Sequence, residues 1–208
     1  AITGSDAFTI LAAPDAVVGP GDSTAITIRC EPSAAGHVTA ELSFSHNAPQ
    51  NSPFTFTVAA SVNVAWLVSP TGDDENDGRS WATSFETLQK GLQMAQEGDA
   101  VWVAAGTYTP GEDQADIFIV STNVTLYGGF TNGMTALTQR DWRLHETVLS
   151  GDIGTIGDKT DNSATIVSLA GGGILDGVVI SNATAGLRVI AGTAEVRNAL
   201  FVGNVQGL

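Results

Sequence analysis

The sequence predicts an all-β chain in two parts: a small two-sheet sandwich over residues 1–63, then, over 64–208, a solenoid of short strands capped by one amphipathic helix at about 84–96. Three observations carry this. Before residue 63, apolar and polar residues alternate with period two between Gly- and Pro-marked turns. Beyond residue 98, short aliphatic strands return at a spacing near 20, and no second helix interrupts them. Composition agrees: 24 glycines in 208 residues, 14% charged and 43% hydrophobic suit a turn-dense β protein and argue against disorder.

In the first part, Ile26, Ile28 and Cys30 alternate with Thr27 and Arg29. Val38, Ala40, Leu42 and Phe44 alternate with Thr39, Glu41 and Ser43, and Phe54, Phe56 and Val58 with Thr55 and Thr57. Each strand offers one apolar face, so two sheets must pack on each other. Turns are marked by Gly19-Pro20-Gly21-Asp22, by Glu31-Pro32 through Gly36, and by Asn47 through Pro53. The single cysteine, Cys30, has no disulfide partner in the chain and lies in phase with Ile26 and Ile28, which predicts a small buried hydrophobe. His37 and His46 sit beside turns with no third ligand in view, which reads as surface histidine rather than metal site.

The segments Ile2-Thr3-Gly4-Ser5-Asp6-Ala7-Phe8, Gly19-Pro20-Gly21-Asp22-Ser23, Cys30-Glu31-Pro32-Ser33-Ala34-Ala35-Gly36 and Phe54-Thr55-Phe56-Thr57-Val58 resemble, in order, the bacterial Ig-like domains of the choice-of-anchor D or ASH type. The resemblance covers residues 1–63. It implies a spacer or interaction module, an Ig-like β-sandwich lacking its leading strand. The chain also stops at Leu208 inside a repeat, so the expectation is a fragment of a longer protein.

Val64 to Val68 reads as a short strand, followed by an acidic loop, Gly72 to Gly78. The helix comes next. Thr83 and Glu86 have capping-box spacing, Phe85, Leu88, Leu92 and Ala95 recur at helical spacing, and Gly98 supplies a left-handed stop. Such a helix can cover the apolar interior and backbone edge that a first solenoid coil exposes. Trp66 and Trp81 are expected to pack at this cap.

The repeat itself is read from strands at Ala100–Val103, Ile117–Val120, Val124–Tyr127, Thr147–Leu149, Thr165–Leu169, Ile174–Ile180, Leu187–Ile190 and Ala194–Val202. Leu175 to Ile180 aligns with Val196 to Phe201 at an offset of 21, and Tyr127 to Leu149 is 22. Asn at the Ser181-Asn182 and Gly203-Asn204 turns is in place to stack between coils.

Ser80-Trp81-Ala82-Thr83-Ser84-Phe85 with Leu88-Gln89, Gly98-Asp99-Ala100-Val101-Trp102-Val103-Ala104-Ala105-Gly106-Thr107-Tyr108, Leu126-Tyr127-Gly128-Gly129-Phe130, Gln139-Arg140-Asp141-Trp142-Arg143 and Leu149-Ser150-Gly151-Asp152-Ile153 resemble the pectin-lyase-like right-handed parallel β-helices, in particular the bacterial surface group near the polymorphic outer membrane proteins. The resemblance spans residues 66–204. It implies a fold that hosts adhesins, passenger domains, lyases and hydrolases alike.

A formal net charge of −14 disfavours nucleic acid and anionic membranes as partners, and no apolar run approaches the length of a membrane span. Two loops are rich in carboxylates. Asp73, Glu75 and Asp77 imitate the start of a calcium loop, although position twelve is Ser84 rather than a bidentate Glu. They are the calcium candidates, against a solvated turn. Gly151 to Asn162 carries Asp152, Asp158 and Asp161, with Lys159. Paired carboxylates on a projecting loop could do acid–base work on a sugar or bind calcium; turn chemistry is the simpler account. Asp176, Arg188 and Arg197 are the other polar residues on the coils, of the basic and acidic kinds a polysaccharide lyase uses; Asp176 and Arg197 occupy matching repeat positions, which a stacked surface ion pair explains as well. Trp102 and Trp142 are the aromatic candidates for a sugar-binding face. The expected function is a non-enzymatic modular protein at the cell surface or secreted: a stalk, adhesin or glycan-interacting scaffold, with extracellular polysaccharide or host glycans as partners. The alternative is a β-helical polysaccharide lyase or glycoside hydrolase.

Overall fold

The computed structural model describes residues 1–31, 36–46 and 52–206, and the chain divides into two compact units, 1–63 and 64–208. Two expected turns, Glu31-Pro32 through Gly36 and Asn47 through Pro53, fall largely outside the described residues, as does the His37 side chain.

The first unit holds β1 (Ile2–Gly4), β2 (Phe8–Ala12), β3 (Thr27–Cys30), β4 (Gly36–Phe44) and β5 (Phe54–Val62). All pairings are antiparallel: β1-β4-β5 form one sheet and β2-β3 another. The period-two pattern sets the faces. Ala40 is buried with Ala7 and Phe8, and Leu42 is fully buried, while Thr39 and Glu41 face out. Cys30 departs from expectation and is exposed. It pairs with Phe8 at the end of a two-stranded sheet, and among the described residues no further strand pairs with β3.

The second unit opens with β6 (Ala65–Val68), a 3₁₀ turn (Trp81–Thr83) and α1 (Leu88–Met94). Eleven strands follow: β7 (Ala100–Ala104), β8 (Gly106–Tyr108), β9 (Phe118–Val120), β10 (Thr125–Phe130), β11 (Thr147–Ser150), β12 (Thr165–Leu169), β13 (Ile174–Asp176), β14 (Val179–Ser181), β15 (Ala185–Val189), β16 (Glu195–Arg197) and β17 (Leu200–Val202). With β6 they form three sheets, ordered β6-β7-β10-β13-β16, β8-β11-β14-β17 and β9-β12-β15. Every pairing is parallel. The chain visits the sheets in turn and returns one strand further along each, which is the strand order of a parallel β-helix. Val101, Leu126 and Leu175 follow one another in register at 0% exposure, and Leu149 and Ile180 form a second such column on the next sheet. No single coil could bury these side chains alone; the stack supplies the core.

The coils differ in length. In the first sheet Val101 pairs with Leu126, 25 residues on, Leu126 with Leu175, 49 on, and Leu175 with Val196, 21 on. The short period therefore holds only for the last two coils. Tyr127 and Leu149, read as one period apart, lie in different sheets. The expected strands Ile174–Ile180 and Ala194–Val202 each split in two, because Gly177 (φ +83°) and Asn198 (φ +48°) turn the chain from one sheet to the next. Asn182 and Asn204 do not simply stack: Asn204 Nδ2 donates to Ile180 O and its Oδ1 accepts from Ala183 N, binding the backbone of the preceding coil.

The helix is shorter than the expected 84–96, and its cap is Thr87, whose side chain accepts from Lys90 N. Phe85 cannot join it. Phe85 forms a parallel bridge with Val68, donating to Leu67 O and accepting from Ser69 N. Thr83 instead closes the 3₁₀ turn over Ser80. From Thr87 onward the apolar spacing takes effect: Leu88, Leu92 and Ala95 bury against the first coil, with α1 packed on β6, β7 and β9. Gly91 permits this approach, since a Cβ there would lie 2.6 Å from Val68. Trp66 packs at the cap, stacked on Phe85 at 6.0 Å, whereas Trp81 packs on Phe130 of β10, as Trp102 does. Among the described residues no helix is long and apolar enough to cross a membrane.

Candidate functional site

On the first sheet of the second unit, the residues between the inward positions form an outward column. Leu67, Trp102, Tyr127, Asp176 and Arg197 succeed one another in register, one from each strand. The segment between β10 and β11, residues 131–146, folds over part of this column. Arg140 reaches from it to Asp176, Nη2 to Oδ2 at 2.9 Å, and its Nη1 donates to Gly128 O and Asp176 O at 3.2 and 3.4 Å. Asn198 Nδ2 donates to the other Asp176 oxygen at 2.7 Å. Asp176 is 4% exposed, so this carboxylate is buried but fully engaged. The Arg140 guanidinium also lies 5.1 Å from the Tyr127 ring.

The expected Asp176–Arg197 ion pair is therefore corrected. The two are neighbours in register, yet Asp176 takes Arg140, and Arg197 forms a two-point pair with Glu195 on its own strand. That pair holds the Glu195 carboxyl below its usual range and raises the Arg197 guanidinium. Both are solvent-facing, and the pair contributes little to stability.

The aromatic candidates separate. Trp102 is a packing residue, stacked on the fully buried Phe130 at 4.6 Å. Trp81 also packs on Phe130, ring centroids 5.8 Å apart, and donates from Nε1 to Met134 O at 2.6 Å. Trp142 remains half-exposed, with the Arg143 guanidinium 4.1 Å above its ring. Its backbone sits where a Cβ on Gly129 would fall, 2.7 Å away, which is why Gly129 (φ +89°) stands at the end of the strand. Tyr127 and Arg197 thus stand in the outward column, Arg197 paired with Glu195, while Trp142 and Arg143 belong to the segment folded over that sheet at Gly129 and Gly177. Arg140 could not be picked out from sequence, because its partner lies 36 residues away.

The carboxylate loops serve their own backbones. Asp73 Oδ1 accepts from Glu75 N at 2.9 Å; Asp77 Oδ1 accepts from Arg79 N at 3.0 Å and from the Thr83 hydroxyl at 2.6 Å. The Thr83 bond, then the Arg79 amide, lower the Asp77 pKa. Glu75 is exposed. Asp74, the loop member not singled out by sequence, ties the loop to the helix: it accepts from Glu86 N, Thr87 N and the Thr87 hydroxyl. In the second loop, Asp152 Oδ1 accepts from Gly157 N and Asp158 Oδ1 from Thr160 N and Oγ1, which lowers the Asp158 pKa. Asp161 Oδ2 accepts from Thr155 N at 2.8 Å, while its Oδ1 is buried without a partner. Among the described residues no three His, Cys, Asp or Glu side chains assemble to hold a metal ion.

Elsewhere, a groove of about 850 Å³ in the first unit is lined by Val17, Val18, Ile26, Phe44 and Phe54. Near the helix, Tyr108 is buried with its hydroxyl donating to Ala104 O, and burial pushes its phenol upward.

No curated protein matches the chain. The family described as protein of unknown function, DUF1565, matches residues 70–207, which takes in all of the solenoid after its first strand. The register of β7 through β17, with its three parallel sheets, lies within that match, and the chain belongs to the DUF1565 family, a domain of the pectin-lyase-like β-helix type.

Proposed function

We propose that this chain is part of a non-enzymatic, secreted or cell-surface modular protein whose solenoid is a rigid scaffold presenting a glycan-binding face. The observation that carries the reading is the half-exposed Trp142 with Arg143 above its ring, on the segment folded over the sheet whose outward column holds Tyr127 and Arg197. Sugar rings stack on aromatic faces, and guanidinium and carboxylate groups bond ring hydroxyls; the outward column and the segment folded over it hold both kinds of group. A right-handed coil follows from the handedness preference of parallel crossovers, and an Ig-like spacer from the antiparallel sheets of the first unit. An extracellular location accords with that pairing of modules.

The test is a glycan array followed by calorimetry on the best oligosaccharide, with Trp142→Ala and Arg143→Ala beside the parent. Binding weakened at least tenfold by both variants supports the reading. Binding untouched by either, or no glycan bound at all, sinks it. The rival reading, a lyase or hydrolase acting on extracellular polysaccharide, has one observation in its favour: the buried, unpartnered Asp161 Oδ1. Turnover of pectate, alginate or a neutral glycan that disappears in Asp161→Asn would establish it instead.

A further inference from the structure

The strand β5 breaks the rules by which exposed sheet edges are usually protected. It runs nine residues, pairs with β4 along its whole length without a register shift, and among the described residues has no strand on its other side. Natural edges are blunted by shortness, by charge, by proline or by a bulge. The opposite edge of the same sheet, β1, is only three residues long. In the other sheet, β3 is four residues long and carries Arg29, paired with Glu31. β5 has none of these devices: Phe54 to Val62 contains no charged residue and no proline. Thr55, Thr57 and Ala59 are exposed on one face, and on the other Phe54 is 55% exposed while Phe56, Val58 and Ala60 are half-buried.

We propose that the free edge of β5 pairs antiparallel with the same edge of a second copy of this chain, joining two three-stranded sheets into one of six strands. Two features of the strand select a copy of itself. The first is pattern. In a twofold register centred on Val58, Phe56 meets Ala60 and Val58 meets Val58, so apolar faces apolar and Thr57 meets Ala59 on the outer face; the period of two makes the strand self-complementary. The second is charge. A chain of net charge −14 repels its own copy over most of its surface, and contact is least opposed where the strand is neutral. Main-chain hydrogen bonds along a strand of roughly 30 Å supply the attraction.

The experiment is sedimentation velocity of the 208-residue chain from about 1 to 100 μM, with two charge variants on the exposed outer face: Thr57→Lys with Ala59→Lys, and Thr57→Glu with Ala59→Glu. The parent chain is expected to dimerise. Each variant alone, with like charges opposed across the twofold, is expected to associate at least tenfold more weakly, and an equimolar mixture of the two to recover association. The mixing arm separates lost pairing from lost folding, since only folded chains recombine. A parent that stays monomeric at 100 μM, dimers unaffected by the lysines, or a mixture that does not recombine would each overturn the proposal.

Discussion

Truncating the inward column residue by residue gives a graded series whose shape follows from the stack. Leu175 is 0% exposed and lies in register between Leu126 of the coil before and Val196 of the coil after. Leu175→Ala removes a side chain enclosed on both sides along the column, and a buried Leu→Ala change costs about 2–5 kcal/mol. Leu126→Ala, enclosed between Val101 and Leu175, falls in the same range. Val196 occupies the same column in β16, an end strand of its sheet, and is only partly buried. Val196→Ala removes about two carbon groups at roughly half the burial, so about 0.5–1 kcal/mol is expected. The assay is urea unfolding followed by far-ultraviolet circular dichroism, read on the transition of the second unit, with the slope unchanged between variants. Equal costs at Leu175 and Val196, or a Leu175→Ala cost under about 1 kcal/mol, would refute the reasoning.

Two further perturbations bear on the polar features. Asp176→Ala leaves Arg140, whose side chain is 14% exposed, without its carboxylate; a cost of about 3–5 kcal/mol is expected, against much less for Glu195→Ala, and the same urea assay measures both. Thr83→Val removes the largest cause of the lowered Asp77 pKa, so the carboxyl should titrate closer to the ordinary Asp value in a carbon-13 pH titration. The sign of the linkage is fixed: with its folded pKa depressed, Asp77 favours the fold above its unfolded pKa and loses that contribution as pH falls through the folded value. An Asp77 carboxyl unmoved by Thr83→Val would contradict the assignment of cause.

The sequence carried the fold class because strand periodicity is a local signal. The offset between Leu175 and Val196 proved to be a register of paired strands, Asp176 against Arg197 included. Coil length was not legible upstream. There the turns between sheets are long: residues 131–146 intervene between β10 and β11 and residues 151–164 between β11 and β12, so equal spacing no longer marks equal position. The strand Gly106–Tyr108 has too few apolar residues to announce itself, and its place is set by pairing with β11. The helix boundary slipped because Phe85 has the right spacing for α1 but is claimed by Val68 across a bridge, a tertiary demand that local pattern does not contain. Charge partners were the least readable. Asp176 and Arg197 share a register, and yet each prefers a partner that only the folded-over segment or its own strand provides. The carboxylate loops were recognised as dense in acid; whether their oxygens point at backbone amides depends on turn conformation that spacing alone leaves open.

The stack of parallel coils is tested most directly by cross-linking register neighbours. Val148 and Val179 pair in β11 and β14, and Val179 and Leu200 in β14 and β17, all outward on one sheet. Neighbouring strands lie about 4.8 Å apart, within the Cα separation a disulfide spans. In a Cys30→Ser background, the Val148→Cys/Val179→Cys and Val179→Cys/Leu200→Cys pairs are expected to oxidise to intramolecular disulfides. Tyr127→Cys/Val148→Cys, 21 residues apart but on different sheets, should remain reduced. The opposite pattern, with Tyr127 bridged to Val148 and the in-register pairs free, would contradict the three-sheet coil.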